Sequence, residues 1–216
     1  MDRILITGAL GQLGIEFIDH FKKLNSFVLA TDIKNPKEKL SCEFELANVL
    51  DKDKMDSLVK KYNINVIYHL VAILSANGEK DPFISWKLNM NSFQNIAQIS
   101  IENKIKKIFW PSSIAVFGTE SNLNFVSQNP LMNPTTIYGI TKLAGEKLME
   151  YYFNKFGLDI RSLRYPGIIS TKTVPGGGTT DYVIEMLNAA KKGNDYVCFL
   201  SENTELPMMY IDDAIN

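Results

Sequence analysis

Strand-length apolar runs alternate with segments of helical period along this chain, and that alternation limits the folds open to it. "ILIT" (Ile4 to Thr7) reads as a buried strand, "QLGIEFIDHFKKL" as a helix, and "FVLATDI" as a second strand. "DKDKMDSLVKKY" reads as a helix with an acidic first turn, and "NVIYHLVA" (Asn65 to Ala72) as a third long strand. "DPFISWKLNMNSFQNIAQISIEN" is a long helix with Asp81 as N-cap and Pro82 at its first position. "KIFWPSS" is a strand, "YGITKLAGEKLMEYYFNKFG" a helix closed by Gly157, and "LDIRSLRYP" a further strand. Such a series predicts βαβ units and an α/β fold with a doubly wound parallel sheet, covered on both faces. Ligands in this architecture sit outside the carboxyl ends of the strands. Those ends are where the chemistry is to be sought.

Three glycines, Gly8, Gly11 and Gly14, fall between the first strand and the first helix in a GxxGxxG pattern. Glycines there let backbone N–H groups approach an anion at a helix N-terminus. A structural strand–helix turn also favours glycine, so the loop alone is a weak signal. Asp32 closes the second strand, eighteen positions after Gly14. An acid at about that distance accepts hydrogen bonds from adenosine ribose hydroxyls and repels a 2′-phosphate. Lys34 nearby is the counter-signal, yet with Asp32 present the expected cofactor is NAD rather than NADP.

"KIFWPSS" delivers Ser112 and Ser113 to the sheet edge, and "YGITK" places Tyr138 and Lys142 four residues apart on one helix face. A tyrosine of pKa ~10 is a poor base at neutral pH. A neighbouring cation stabilises phenolate, which would make Tyr138 usable as a general base. Tyr-x-x-x-Lys is common by chance as a surface helix pair. Beside a serine pair and a nucleotide loop, chance is a poor explanation.

The remaining composition excludes several classes. The 216 residues carry a formal charge of −1, which gives no reason to expect a nucleic-acid partner. Their 45% hydrophobic content suits a globular core, with length for one large domain or one domain and part of a second. Cys42 and Cys198 are too few and too distant for a disulfide framework, which fits a reducing compartment. No run approaches the roughly 20 apolar residues that span a bilayer, no signal peptide is read, and the expected location is cytoplasmic. His69 in its apolar strand reads as a core histidine, His20 as a surface one, and Trp86 and Trp110 as packing residues. No cluster has zinc spacing, so no metal is expected.

The ordered set of GxxGxxG, an acid ending the second strand, "SSIAVFG" and "YGITK" resembles the extended short-chain dehydrogenase/reductase family, also known as the NAD-dependent epimerase/dehydratases. The resemblance spans the whole chain and implies a Rossmann-type sheet holding NAD. It implies Tyr138 as catalytic acid/base, Lys142 as the residue that binds the nicotinamide ribose and depresses the tyrosine pKa, and Ser113, with Ser112 its alternate, as the serine that polarises the reacting oxygen. It implies cofactor contacts at Gly8, Gly11, Gln12, Leu13, Gly14, Asp32, Leu70, Ala72, Tyr165, Pro166 and Ile168. Where the family commonly has an Asp before Val or Leu to meet the adenine amino group, this chain has Asn48 and Val49. An asparagine carbonyl can accept the same hydrogen bond.

Within the family, "ILSANGEKDP", "RYPGIISTKTVPGGGTTDY" and "LPMMYIDDAI" resemble members that oxidise the β-hydroxyl of L-threonine to 2-amino-3-ketobutyrate. The resemblance implies L-threonine as substrate. Gly176, Gly177 and Gly178 can form a concave anion site for its carboxylate. Thr179, Thr180 and Ser75 offer hydroxyls, one threonine capping the helix that follows. A nucleotide-sugar epimerase or dehydratase and a non-catalytic NAD-binding redox sensor are the competing readings. A homodimer through the helices carrying "YGITK" and "DPFISWK" is expected. Residues 1–165 read as the NAD-binding domain and 166–216 as the start of a small substrate lobe. "MMYIDDAIN" reads as a helix that begins and does not continue, so the lobe is expected to be incomplete.

Overall fold

Ile4, Leu5 and Ile6 show why the sheet is covered twice. Leu5 enters a core with Leu29, Met55, Ile67, Phe93 and Ile108, while Ile4 and Ile6 enter another with Phe17, Phe21, Val28 and Ala30. Neighbouring side chains of a strand point to opposite faces, so an unbroken apolar run requires cover on both. The computed structural model describes residues 1–118, 126–173, 176–178 and 180–216.

Along the chain come β1 (Arg3–Thr7), α1 (Gln12–Lys23), β2 (Phe27–Asp32), β3 (Glu43–Leu46), α2 (Lys52–Lys61) and β4 (Val66–His69). A helical turn, α3 (Ser75–Gly78), leads into α4 (Pro82–Trp86), a π-type turn at Lys87–Asn91, and α5 (Ser92–Glu102). Next are β5 (Lys107–Phe109), β6 (Ser112–Ser113), α6 (Ile137–Phe156), β7 (Ile160–Arg161), β8 (Arg164–Tyr165) and β9 (Gly167–Ile169). The series closes with α7 (Tyr182–Lys192), β10 (Met208–Tyr210) and α8 (Ile211–Ile215). Six strands form one parallel sheet in the order β3-β2-β1-β4-β5-β7. The order reverses between β1 and β4, and the crevice at that reversal lies at the strands' carboxyl ends. This is the doubly wound, Rossmann-type sheet expected from the sequence.

Five local readings are corrected. "NVIYHLVA" holds the fourth strand, because "EFEL" (Glu43–Leu46), which precedes it in the chain, forms an edge strand paired to β2. The long helix does start at Asp81, whose carboxylate accepts the Ile84 N–H at 2.9 Å, but the π-type turn interrupts it. "KIFWPSS" and "LDIRSLRYP" each divide in two. Pro111 has no N–H to donate, so the chain leaves the main sheet after β5, and β6 pairs with β8 in a separate ladder. Trp110 is fully buried, whereas Trp86 is 43% exposed and is not a core residue.

His69 is a core histidine. It lies between the Thr7 hydroxyl, 2.7 Å from Nδ1, and the Ser92 hydroxyl, 3.0 Å from Nε2, so it joins β1 to α5. On the other side of the cleft β9 pairs with β10, α8 packs on α1, and the Tyr165 hydroxyl donates to the Ala214 carbonyl at 2.6 Å. No helix among the described residues is long and apolar enough to cross a membrane.

Candidate active site

A cleft of about 730 Å³ opens at the carboxyl ends of β1 and β4. One wall is the loop after β1, with Gly8, Gly11, Gln12, Leu13 and Gly14. Gly8 has φ +67°, a conformation that side chains with a Cβ resist. A Cβ on Gly14 would stand 2.5 Å from the Ala9 carbonyl oxygen, so only glycine lets α1 start this close to the loop. Gly11 caps α1 without a side-chain acceptor and the first turn holds no acid. The leading N–H groups of a helix have no acceptor within it, so those of Gln12 and Leu13 are left to a ligand. This is a wall suited to an anionic phosphate group.

Asp32 stands behind that wall rather than in it. Its carboxylate accepts the Leu10 N–H at 3.1 Å and the Lys34 N–H at 3.3 Å, which ties the glycine loop to the end of β2. Leu70 and Ala72, after β4, form the cleft floor. Asn48 is exposed and outside the cleft lining, with its side-chain oxygen accepting the Leu50 N–H at 2.9 Å.

On the opposite side stand Ser113 and Tyr138, both lining the cleft. The turn after β6 fixes Ser113, whose oxygen accepts the Ala115 N–H at 3.2 Å. Thr136 caps α6 by accepting the Gly139 N–H at 3.1 Å, which sets Tyr138 in the first turn. Hydrogen bonding with Ser113 works to lower the Tyr138 phenol, but burial outweighs it and pushes the phenol up to about 12. Lys142 lies behind them, buried and not part of the cleft wall. Its ammonium donates to the Pro111 carbonyl at 2.6 Å and lies 4.2 Å from the Trp110 ring centroid. Burial draws it down to about 7. Burial and Ser113, rather than Lys142, are the causes that set the Tyr138 shift. Desolvation dominates, and the ammonium is turned to a carbonyl.

Ser112 separates from Ser113. Its hydroxyl donates to Glu146 at 2.6 Å, and Glu146 forms a 2.8 Å ion pair with Arg164. That network joins β6, α6 and β8 and leaves only Ser113 beside Tyr138. Tyr165, Pro166 and Ile168 line the cleft beyond β8, and the Gln12 amide reaches across to the Ile168 carbonyl at 3.1 Å.

Ser75 and Thr180 also line the cleft, and Thr179 lies outside the described residues. The glycine segment does form an anion site, but the chain fills it. Gly177 and Gly178 donate to one oxygen of Asp181, at 2.7 and 2.8 Å. Asp181, not a threonine, is the N-cap residue of α7.

Asn89 was missed in the sequence. It sits in the π-type turn, where its amide accepts the Ile73 N–H at 2.8 Å and donates to the Ile73 carbonyl at 3.2 Å and the Thr141 hydroxyl at 3.3 Å. It thus fixes the chain after β4 against α6. A lone Asn in an apolar helical pattern gives no signal of this. No group of three or more His, Cys, Asp or Glu among the described residues could hold a metal ion.

A family model described as the NAD dependent epimerase/dehydratase family matches residues 4–216. The chain belongs to that family. An uncharacterized epimerase/dehydratase of Staphylococcus saprophyticus is 42% identical over 221 residues, covering 100% of this chain and 69% of the relative. The solved structure of a partial consensus L-threonine 3-dehydrogenase superposes with a TM-score of 0.96 at 44% identity, covering 99% of this chain and 69% of that one. The holo form of a GalE-like L-threonine dehydrogenase from Cupriavidus necator gives 0.95 at 42%, covering 99% and 70%. NAD is the cofactor of this family, and the glycine wall with its open helix N-terminus fits it.

Proposed function

We propose that this epimerase/dehydratase-family protein oxidises the 3-hydroxyl of L-threonine to 2-amino-3-ketobutyrate with NAD. The observation that carries the reading is a Ser113–Tyr138 pair facing a cleft whose described lining contains no Lys, Arg or His. A nucleotide sugar brings a diphosphate that calls for cations beyond the cofactor site, whereas a small zwitterion does not. Likeness to threonine dehydrogenases at 42 and 44% identity supports the same choice.

Gly8, Gly11, Gln12, Leu13 and Gly14 hold the pyrophosphate, Asp32 the adenosine ribose, and Leu70, Ala72, Tyr165, Pro166 and Ile168 border the rest of the cofactor. NAD, when bound, would supply the acceptor for the hydride that leaves the substrate β-carbon. Ser113 holds the reacting oxygen by a hydrogen bond, and Tyr138 takes its proton as general base. Lys142 supplies positive charge behind the phenol. Asn48, exposed and occupied by Leu50, is a weak candidate for adenine. Residues 1–165 hold most of the cofactor and the reacting groups, and 166–216 close the substrate side, with Ser75 and Thr180 across the cleft. Exposed Phe83, Ile84 and Trp86 of α4, which packs on α6, support a homodimer through these helices.

The test mixes the protein with NAD and, separately, L-threonine, L-serine and UDP-sugars. NADH absorbance growing with L-threonine is the expected result. Interconversion of a UDP-sugar without net NADH would replace this reading with an epimerase. NAD binding without turnover on any of them would replace it with a sensor.

A further inference from the structure

The glycine segment that leads into α7 does more than line the cleft. Asp181 is the one charged side chain among the described residues of the lining. One of its carboxylate oxygens, Oδ2, is held by the Gly177 and Gly178 N–H groups at 2.7 and 2.8 Å. The other, Oδ1, takes no hydrogen bond among the described residues. The Asp181 backbone is fixed as well, since its carbonyl accepts the Ile184 and Glu185 N–H groups at 3.0 and 3.1 Å. The segment is clasped from the facing side, where the Asn77 amide donates to the Gly176 carbonyl at 3.2 Å. The nearby cation, Lys80, is turned to the Asn77 side-chain oxygen at 2.9 Å.

A carboxylate of fixed position in an otherwise uncharged wall asks for a cation. The two N–H donors that could have received the carboxylate of a ligand are already taken by Asp181. What the segment presents to the cleft is the reverse charge. We infer that Asp181 is a specificity-determining residue that receives the α-ammonium group of the substrate. The inference rests on the amino-acid reading of the site and says how that site tells an amino acid from a simple hydroxy acid. Because Oδ2 is held before the ligand arrives, little ordering remains to be done on binding.

The test compares L-threonine with the 3-hydroxybutyrate of matching configuration, which has the same hydroxyl and carboxylate but hydrogen in place of ammonium. Wild-type protein is expected to prefer L-threonine at least about 100-fold in kcat/KM, and comparable use of the two overturns the inference without any substitution. In Asp181→Asn, loss of a charge-assisted hydrogen bond is expected to raise KM for L-threonine about 10- to 100-fold. KM for 3-hydroxybutyrate is expected to stay within about twofold. An unchanged KM for L-threonine, or equal weakening of both substrates, overturns the assignment, the second outcome meaning that Asp181 only supports the wall. Should Asp181→Asn fail to fold, Asp181→Glu retains the charge and is expected to keep a preference for L-threonine of about tenfold or more. Loss of that preference also overturns the assignment. Wild-type protein that does not oxidise L-threonine at all overturns the parent reading and this one with it.

Discussion

Lys142 stands one helical turn from Tyr138, its ammonium 5.5 Å from the centre of that ring, yet it donates its hydrogen bond to the Pro111 carbonyl. The pair is close enough to interact but is not arranged as a hydrogen-bonded base and its partner. Burial acts on each separately, raising the phenol and lowering the ammonium. Charge brought into the cleft is what can change that balance.

Tyr138→Phe removes the proton acceptor and leaves the ring. Turnover is expected to fall by about 10² to 10⁴, the usual scale of general-base catalysis. NAD affinity, measured by fluorescence titration, is expected to stay within about twofold, because the glycine wall is untouched. Near wild-type turnover would show that another group takes the proton.

Lys142→Met removes the cation behind the phenol. Tyr138 is pushed up to about 12, so unaided phenolate is scarce at neutral pH and grows as pH rises. Turnover of the variant is expected to climb about tenfold per pH unit between about 7 and 9, as a base titrating above that range must. Wild-type turnover is expected to level off within the same window, because Lys142 together with the positive nicotinamide ring would favour phenolate once NAD is bound. Identical pH–rate profiles for the two proteins would remove Lys142 from the acid–base chemistry.

Asp32→Asn separates two duties of one carboxylate. The amide can still accept the Leu10 N–H, so the loop tie seen at 3.1 Å survives. What disappears is the negative charge that receives ribose hydroxyls and repels a 2′-phosphate. The NAD over NADP preference, read as a ratio of dissociation constants, is expected to drop about 10- to 100-fold. An unchanged ratio would assign cofactor choice to Lys34 or a neighbour.

The legible parts of this protein are those where a local rule and the global fold ask for the same residue. Ile4 to Thr7 is apolar on both faces because the sheet is covered twice, and Gly14 has no Cβ because the Ala9 carbonyl leaves no room. The edge strand Glu43–Leu46 was illegible for the opposite reason: half-exposed and charged, it carries little apolar signal. Which of the Ser112 and Ser113 hydroxyls is left for Tyr138 depends on Glu146 and Arg164, which come from elsewhere in the chain. Local spacing holds no trace of that. Asp181 was hidden behind its glycines, whose N–H groups advertise an anion site without saying that the chain supplies the anion. Trp86 misled because an aromatic on an amphipathic helix normally packs inward, and α4 turns it out.

His69 makes a stability prediction independent of catalysis. Complete burial, with Lys142 adding repulsion, draws its imidazole down to about 3 from an ordinary value of 6.5. The folded protein therefore keeps His69 neutral where the unfolded chain binds a proton. Since unfolded His69 binds more protons between those two values, stability is full above pH 6.5 and is lost progressively as pH falls toward 3. At pH 5 the loss from this one group is about 2 kcal/mol. For a chain of this size that is roughly 4 to 8 °C in Tm. His69→Gln cannot take up the proton and retains a donor and an acceptor for Thr7 and Ser92. Its Tm is expected to be lower at pH 7, because the fit between the two hydroxyls is poorer, but to fall less between pH 7 and pH 5. Carboxylates such as Glu146 titrate in both proteins, so the difference between the two slopes isolates His69. Equal slopes in calorimetry would mean that His69 takes up its proton while folded, against the seal that Thr7, Ser92 and the surrounding core place around it.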